Sequence, residues 1–192
     1  MRKLLLALCL SLLTACAESP PPYNSIDVST PLEQADFHLT DFNGKPRSLA
    51  DFRGKVVLLF FGYTHCPLIC PTTMADLAQV MEKLGNDANR VQVLFVTVDP
   101  ENDRPELMAK YIPAFHPSFL GLYGDEQATR QTAKSFGVSY EKQTYKQGGY
   151  SFIHSDSTFL IGTTGSPRLL SRYGQKVDLL VQDVRLLLAA GQ

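Results

Sequence analysis

The sequence lacks an excess of charge of one sign, an apolar run long enough to span a membrane, and any internal repeat. Its 192 residues carry 18 Lys and Arg against 19 Asp and Glu, and the basic residues are scattered along the chain. A nucleic-acid-binding surface is therefore not expected. The composition, 44% hydrophobic with 13 Gly and 12 Pro, is that of one globular domain and excludes disorder, collagen and a multi-span membrane protein.

The first residues have the pattern of an export signal. Arg2 and Lys3 precede an apolar run from Leu4 to Leu13, whose ten residues are about half of what a membrane-spanning helix needs. The run ends in Leu-Thr-Ala-Cys16, which resembles the bacterial lipobox, where a lipid is attached to the cysteine before cleavage on its N-terminal side. An ordinary cleavage site with an incidental cysteine is the alternative.

This pattern predicts three parts of the chain: a lipoprotein signal peptide over residues 1–15, a lipidated N-terminus with a Pro-rich tether over 16–30, and a folded domain over 31–192. Lipid on Cys16 would hold an exported bacterial protein on the periplasmic side of a membrane, either inner or outer. Cys9 lies in the part that would be removed.

The predicted domain alternates strands and helices. Val56–Phe61 and Val91–Val98 are unbroken apolar runs, which are typical of central strands covered on both faces. Apolar residues at helical spacing predict a helix after Pro71 that ends near Leu84. Further helices are expected over 103–115 with Asp103 as cap, 125–136 and 177–188, and further strands over 36–49 as a hairpin, 119–122, 158–161 and 169–173. This order predicts an α/β, thioredoxin-like three-layer fold with a mixed central sheet flanked by helices.

Cys66 and Cys70 follow the first covered strand and precede a helix. A spacing of four residues on a helical turn puts Cβ atoms about 5–6 Å apart, which suits either a disulfide or a shared metal ion. A helix N-terminus stabilises a thiolate, so both thiols are expected to have lowered pKa values. Two thiolates leave a metal undercoordinated, and a metal site would need another donor.

Four histidines are candidates for that donor. His65 adjoins Cys66, but its side chain need not share the thiol face. His116 is expected to interact with the C-terminus of a helix, and His38 to be an exposed residue of a strand, so neither is favoured as a ligand. His154 lies in a predicted loop before the strand at 158–161, and this loop could return to the sheet edge that carries Cys66.

Several segments together resemble the Sco/SenC family, copper-handling proteins of cytochrome oxidase assembly. They are Phe61–Pro71 with both cysteines, Val93–Glu101, and His154-Ser155. Asn43–Pro46 and Phe52–Val56 match the beginning of the family's domain. The resemblance covers about residues 36–189. It implies a thioredoxin-like domain in which two cysteines and one histidine bind copper.

Those residues correspond here to Cys66, Cys70 and His154. Two thiolates and one imidazole make a soft, three-coordinate site that favours Cu(I), and a weak fourth donor could also allow Cu(II). The implied partners are a copper-accepting oxidase subunit or another copper chaperone, a thiol reductant, and the membrane through lipid on Cys16.

The chain departs from the family pattern at three places. Leu68 and Ile153 stand where the family usually has acidic residues, between the cysteines and directly before the histidine. Gly162–Gly165 replaces an Asp-Pro-x-Gly turn. The first two changes remove negative charge near the implied site, and a regular helix would point Leu68 away from the thiols.

The sequence favours a copper metallochaperone and leaves other functions open. A thiol–disulfide oxidoreductase would use Cys66 to attack and Cys70 to resolve the mixed disulfide, without need of His154. A peroxidase, suggested by Thr64-x-Cys66, and a purely structural disulfide rank below these two. The polar, Gly-containing segment Tyr140–Tyr150 is predicted to be a mobile hairpin or loop that carries His154.

Overall fold

The computed structural model describes residues 22–191. The predicted signal peptide, Cys9, Cys16 and most of the predicted tether lie outside these residues. Residues 22–191 contain no helix with both the length and the hydropathy needed to cross a bilayer.

The described part of the chain contains ten strands and four α-helices. The strands are β1 Ile26–Asp27, β2 Leu39–Asp41, β3 Pro46–Arg47, β4 Val56–Gly62, β5 Val91–Thr97, β6 Leu120–Tyr123, β7 Tyr140–Thr144, β8 Tyr150–His154, β9 Thr158–Ile161 and β10 Pro167–Ser171. The helices are α1 Ile69–Leu84, α2 Pro105–Tyr111, α3 Glu126–Ser135 and α4 Val177–Ala190, with short 3₁₀ segments at Leu49–Phe52 and Gly85–Arg90.

Eight strands form one mixed sheet in the order β1-β10-β9-β4-β5-β6-β2-β3, and β7 and β8 form a separate two-stranded hairpin. All seven residues of β4 are buried, and β4 pairs in parallel with β5 from Val56↔Val91 to Gly62↔Thr97. β9 pairs antiparallel with β4 on the other side. Strands that lack an exposed face must be apolar throughout, which is the pattern seen in the sequence.

Helices cover both faces of this sheet. α1 and α4 pack against each other on one face, where Phe60 and Cys70 of α1 lie on the same side of Gly62. The ring of Phe61 packs on the opposite face against Phe159 and against Phe136, which directly follows α3. The result is the predicted three-layer arrangement with a thioredoxin-like fold, and the prediction of the fold class is confirmed.

Two helices, α1 and α2, differ from their predicted bounds by three or four residues at one end, and the other two by one or two residues. α1 begins at Ile69, not after Pro71, because proline is tolerated in a first helical turn, where its missing N–H has no partner to lose. Cys70 therefore lies inside the first turn. Arg104 occupies the N-cap position of α2 without a side-chain capping hydrogen bond, and the helix ends at Tyr111, before Pro113. Asp103 is not the cap, because its carboxylate binds Thr64 and Thr97 instead.

The N-terminal segment contacts the domain before residue 31. β1 pairs antiparallel with β10, and Asn24 and Ser25 hydrogen-bond to Asp183 on α4. The described end of the predicted tether is thus docked, and a fragment beginning at Pro31 would lack β1.

Candidate metal centre

The two cysteines lie at the carboxyl end of β4. The Cys66 N–H donates to the carbonyl of Tyr63 (3.2 Å), so the chain turns directly after the strand. Cys70 is fully buried in the first turn of α1, Cys66 is half-buried, and both are free thiols. The Cys70 N–H donates to the Cys66 sulfur at 3.4 Å, which draws the two residues together.

His154 reaches the cysteines from β8. This histidine was predicted to lie in a loop, but it is the last residue of the strand. Its Nε2 lies 3.5 Å from Cys70 Sγ. The two sulfurs and an imidazole nitrogen all lie within 4.8 Å of one another. Within residues 22–191, no other group of three or more His, Cys, Asp or Glu side chains is close enough to share an ion.

The hydrogen bond at the far side of the imidazole decides which nitrogen is available. His154 Nδ1 lies 2.8 Å from the carbonyl oxygen of Ser155. Because a carbonyl only accepts, Nδ1 carries the proton, and in the neutral ring Nε2 has a free lone pair directed at Cys70. A histidine oriented in this way is prepared to act as a metal ligand.

The environments of the two thiols differ. Partial burial alone would raise the pKa of Cys66, but backbone N–H groups of residues 70, 68 and 69 bond to its sulfur and bring the pKa below its ordinary value. Burial raises the pKa of Cys70 well above its ordinary value, and the neighbouring Cys66 sulfur adds to the effect. The expectation that both thiols have lowered pKa values is therefore wrong for Cys70, because burial outweighs the helix N-terminus there.

Close packing surrounds the buried sulfur. A Cβ on Gly62 would lie 3.0 Å from Cys70 Sγ and 3.0 Å from the ring of Phe95, so the site has no space for a side chain there. Phe60 and Tyr63 approach the imidazole of His154 edge-on, with ring centroids 6.2 and 5.9 Å away. These residues were not predicted to belong to the site, although a glycine such as Gly62 at the end of a buried strand is typical of a close approach by another group.

The turn before Cys66 is fastened by Asp103. This buried carboxylate accepts hydrogen bonds from the Thr64 N–H (3.1 Å) and hydroxyl, and from the Thr97 hydroxyl (2.6 Å). Asp103 thereby ties the cysteine turn to the end of β5. This role was not predicted, because an aspartate just before a proline-initiated helix is more simply interpreted as a cap.

The β7–β8 hairpin has its own attachments to the body. The Tyr150 hydroxyl donates to Asp99, and the Phe152 N–H donates to the Tyr63 hydroxyl at 3.4 Å. Lys142 forms an exposed ion pair with Glu101 (3.0 Å). The segment at 140–150 is thus a hairpin, and its motion stays a prediction.

The remaining histidines lie outside the cluster. His38 and His65 are exposed, with His65 Nδ1 3.2 Å from the Thr64 hydroxyl, and His116 Nδ1 lies 2.8 Å from the hydroxyl of Ser118. None of the three belongs to the group that includes Cys70 and His154.

The departures from the family pattern fall in two regions. Leu68 and Ile153, next to the cluster residues in sequence, are each 65% exposed. Leu68 precedes α1 with φ −143° and ψ −62°, so the direction of its side chain does not follow from regular helix geometry. The Gly162–Gly165 turn joins β9 to β10 at the opposite sheet edge, away from the cysteines.

Comparisons with known proteins show which family the chain resembles over most of its length. The SCO1/SenC family model matches residues 28–189. The human mitochondrial SCO2 homolog is 42% identical over 135 residues, covering 69% of this chain and 51% of that protein. A putative copper-binding protein of Stutzerimonas stutzeri is 32% identical over 151 residues, covering 77% of this chain and 74% of that protein. The chain thus spans about half the length of its mammalian relative.

Two solved structures are similar over most of the chain. Copper-bound ScoI of Bradyrhizobium japonicum is 34% identical with a TM-score of 0.73, covering 79% of this chain and 96% of that one. Apo Sco1 of Thermus thermophilus is 45% identical with a TM-score of 0.72, covering 80% and 90%. The family model and these relatives together show that the chain belongs to the SCO1/SenC family.

Proposed function

We propose that this protein is a copper metallochaperone that holds one copper ion through Cys66, Cys70 and His154 and delivers it to, or prepares, the copper centre of a respiratory cytochrome c oxidase. The observation that carries the proposal is the convergence of two sulfurs and one imidazole nitrogen within 4.8 Å at a sheet edge. The Sco family handles copper for cytochrome c oxidase. The copper-bound ScoI structure also supports copper as the cargo.

The donor set favours Cu(I). Two thiolates and one imidazole are soft ligands and satisfy a three-coordinate ion. A carboxylate would favour the harder Cu(II), but leucine and isoleucine stand at positions 68 and 153 beside the cluster. The nearby Asp103 carboxylate is already bonded to Thr64 and Thr97.

The proposed location is the periplasmic side of a membrane, with lipid on Cys16 as the anchor. Support comes from the lipobox-like sequence and from a similar structure of a SCO1/SenC family lipoprotein of Bacillus anthracis, which is 25% identical. The proposed partners are a copper-accepting oxidase subunit or another copper chaperone, and a thiol reductant that keeps Cys66 and Cys70 open for the ion.

Metal analysis of the reduced full-length protein in detergent tests the proposal. After loading with Cu(I) and desalting, the wild type and a control His116→Ala should each retain one copper. His154→Ala should retain less or lose it to a weak chelator, because two thiolates alone leave the ion undercoordinated. A wild type that retains no copper contradicts the proposal, as does a His154→Ala protein that binds copper as tightly as His116→Ala.

A second candidate is a thiol–disulfide oxidoreductase, which the unequal thiols favour. Cys66 is accessible with a lowered pKa, as an attacking thiol should be, whereas Cys70 is buried with a raised pKa. Cys66 would attack a partner disulfide, and Cys70 would then displace the partner thiolate and leave a Cys66–Cys70 disulfide. In this case His154→Ala should still exchange disulfides and support oxidase assembly, whereas metal transfer requires the histidine.

A further inference from the structure

A buried carboxylate outside the metal centre accepts hydrogen bonds only from the N-terminal segment within residues 22–191. Asp183 of α4 is fully buried, although it lies within the apolar face of that helix. It accepts hydrogen bonds from the Asn24 N–H (2.7 Å) and side-chain amide (3.0 Å), and from the Ser25 N–H (2.9 Å) and hydroxyl (2.6 Å). No Lys, Arg or His of the described residues forms an ion pair with Asp183.

Further contacts hold the same segment. The side-chain amide of Gln175 donates to the Ser25 hydroxyl at 3.0 Å. β1 then pairs with β10 through Ile26↔Leu170 and Asp27↔Leu169. The segment from Asn24 to Asp27, hereafter the N-terminal clamp, is therefore fixed by side-chain and backbone bonds along its length.

Strand register places Ile26 level with the middle of β4, and the clamp residues before it lead toward the strand ends that carry the metal centre. Ile26 pairs with Leu170, Leu170 with Phe159, and Phe159 with Leu59 of β4. Three strand spacings put Ile26 about 14–15 Å from Leu59 across the sheet. Because β1 runs antiparallel to β4, Ser25 and Asn24 lead from this row toward the end of β4 that carries the cysteines.

The chain between the clamp and the predicted lipid attachment is short. Asn24 follows Cys16 by eight residues, and these span at most about 26–29 Å when fully extended. If the chain came away as far as Asp36, whose N–H donates to Ser135, the maximum reach would grow to about 66–72 Å. The clamp thus reduces the reach of the tether by more than half.

We propose that Asp183 clamps the chain just after its membrane anchor and so holds the metal-bearing edge of the sheet toward the lipid surface. The inference rests on the proposed attachment at Cys16. It identifies the surface around Cys66 and His154 as the one that faces the bilayer, where it would meet an acceptor whose metal site lies close to the membrane. The opposite edge, with the Gly162–Gly165 turn, faces away.

Energy transfer from the protein to labelled lipid measures this orientation. A fluorophore is attached through a genetically encoded ketone side chain at position 104 or 89, which leaves Cys66 and Cys70 unmodified. Arg104 and Asn89 are exposed and lie beyond opposite ends of β5, a strand about 20 Å long, with position 104 at the metal-bearing edge. The full-length lipidated protein is reconstituted into vesicles with acceptor-labelled headgroups.

In the wild type, transfer from position 104 should exceed transfer from position 89. Asp183→Ala should reduce this difference by half or more. A second variant has twelve Gly and Ser residues inserted between Pro22 and Tyr23 and leaves the Asp183 bonds intact. It should also reduce the difference in transfer, and this test does not depend on whether Asp183→Ala folds. The same insertion in the exposed Asn43-Gly44 turn is the control and should leave the difference unchanged.

Several results would overturn the inference: equal transfer from the two positions in the wild type, an unchanged difference in the tether insertion, or a protein that does not stay with the vesicles. Copper content, measured in parallel, separates this inference from the proposed function. The Asp183→Ala and tether-insertion proteins should retain one copper like the wild type. Oriented protein that binds no copper contradicts the proposed function and leaves the orientation supported.

Discussion

Removal of the Asp103 carboxylate should loosen the turn that carries Cys66. In Asp103→Ala, three donors lose their acceptor: the Thr64 N–H, the Thr64 hydroxyl and the Thr97 hydroxyl. A buried donor left unsatisfied costs about 1–3 kcal/mol. Thr97 is fully buried, whereas Thr64 is partly open to water, so we expect a loss of about 3–5 kcal/mol in the free energy of unfolding.

Asp103→Asn is the matched control. Its amide oxygen can replace Oδ2, which accepts from the Thr64 N–H and the Thr97 hydroxyl, while its NH₂ group donates to a rotated Thr64 hydroxyl. The three contacts survive in neutral form, and the loss should stay below about 1.5 kcal/mol.

Urea unfolding of the reduced chain from Ala17 onward, followed by circular dichroism, measures both variants. At about 2–4 °C per kcal/mol, Asp103→Ala should also lower the melting temperature by about 6–20 °C. Its Cu(I) affinity should fall about 10- to 100-fold, because the Cys66 turn loses its attachment. A loss below about 1 kcal/mol for Asp103→Ala would refute the reasoning, as would an Asp103→Asn protein that is equally destabilised.

Three further predictions follow from the site and the anchor. Leu68→Asp should strengthen Cu(II) binding about tenfold, or about 1.4 kcal/mol, and change Cu(I) affinity much less, since Cu(II) gains more from nearby negative charge. Chelator competition measures the affinity for each ion, with Leu68→Asn as the neutral control, and equal shifts for the two ions would disprove the prediction. Cys16→Ser should release the protein from membranes or block its processing, and fractionation and migration like the wild type would contradict lipidation. Copper should slow amide exchange in the segment Tyr140–Tyr150 more than in β4 and β5, and equal protection with and without copper would count against a mobile hairpin.

The central layers of the fold were predictable from the sequence for a physical reason. Strands such as β4 and β5 have no exposed face, so they are unbroken apolar runs, and α1 carries its buried residues at helical spacing. The boundaries of α1 and α2 were harder to predict, because Pro71 and Asp103 each have two local interpretations. For Asp103 the contact with Thr64 decides between them, and for Pro71 the start of α1 at Ile69 does.

The site was predictable in its parts but not in its detail. The cysteines could be assigned to the site because they directly follow β4. Periodicity does not predict that His154 lies next to them. Its position depends on contacts between residues far apart in sequence, such as Phe152 with Tyr63, 89 residues away. The raised pKa of Cys70 depends on complete burial, which the spacing of the cysteines does not reveal.

The docked N-terminus could not be predicted from local pattern. Three of the four residues 24–27 are polar and the segment is short, which is typical of a tether. The aspartate in the apolar face of α4 has no partner nearby in the sequence. The partners, Asn24 and Ser25, are more than 150 residues away.

X-ray absorption spectroscopy of the Cu(I)-loaded full-length protein tests the central claim most directly. The account predicts a shell of about two sulfurs and one nitrogen, and His154→Ala should lose the nitrogen while both sulfurs remain. A shell made only of sulfur in the wild type would contradict the account, and so would a nitrogen that persists unchanged in His154→Ala.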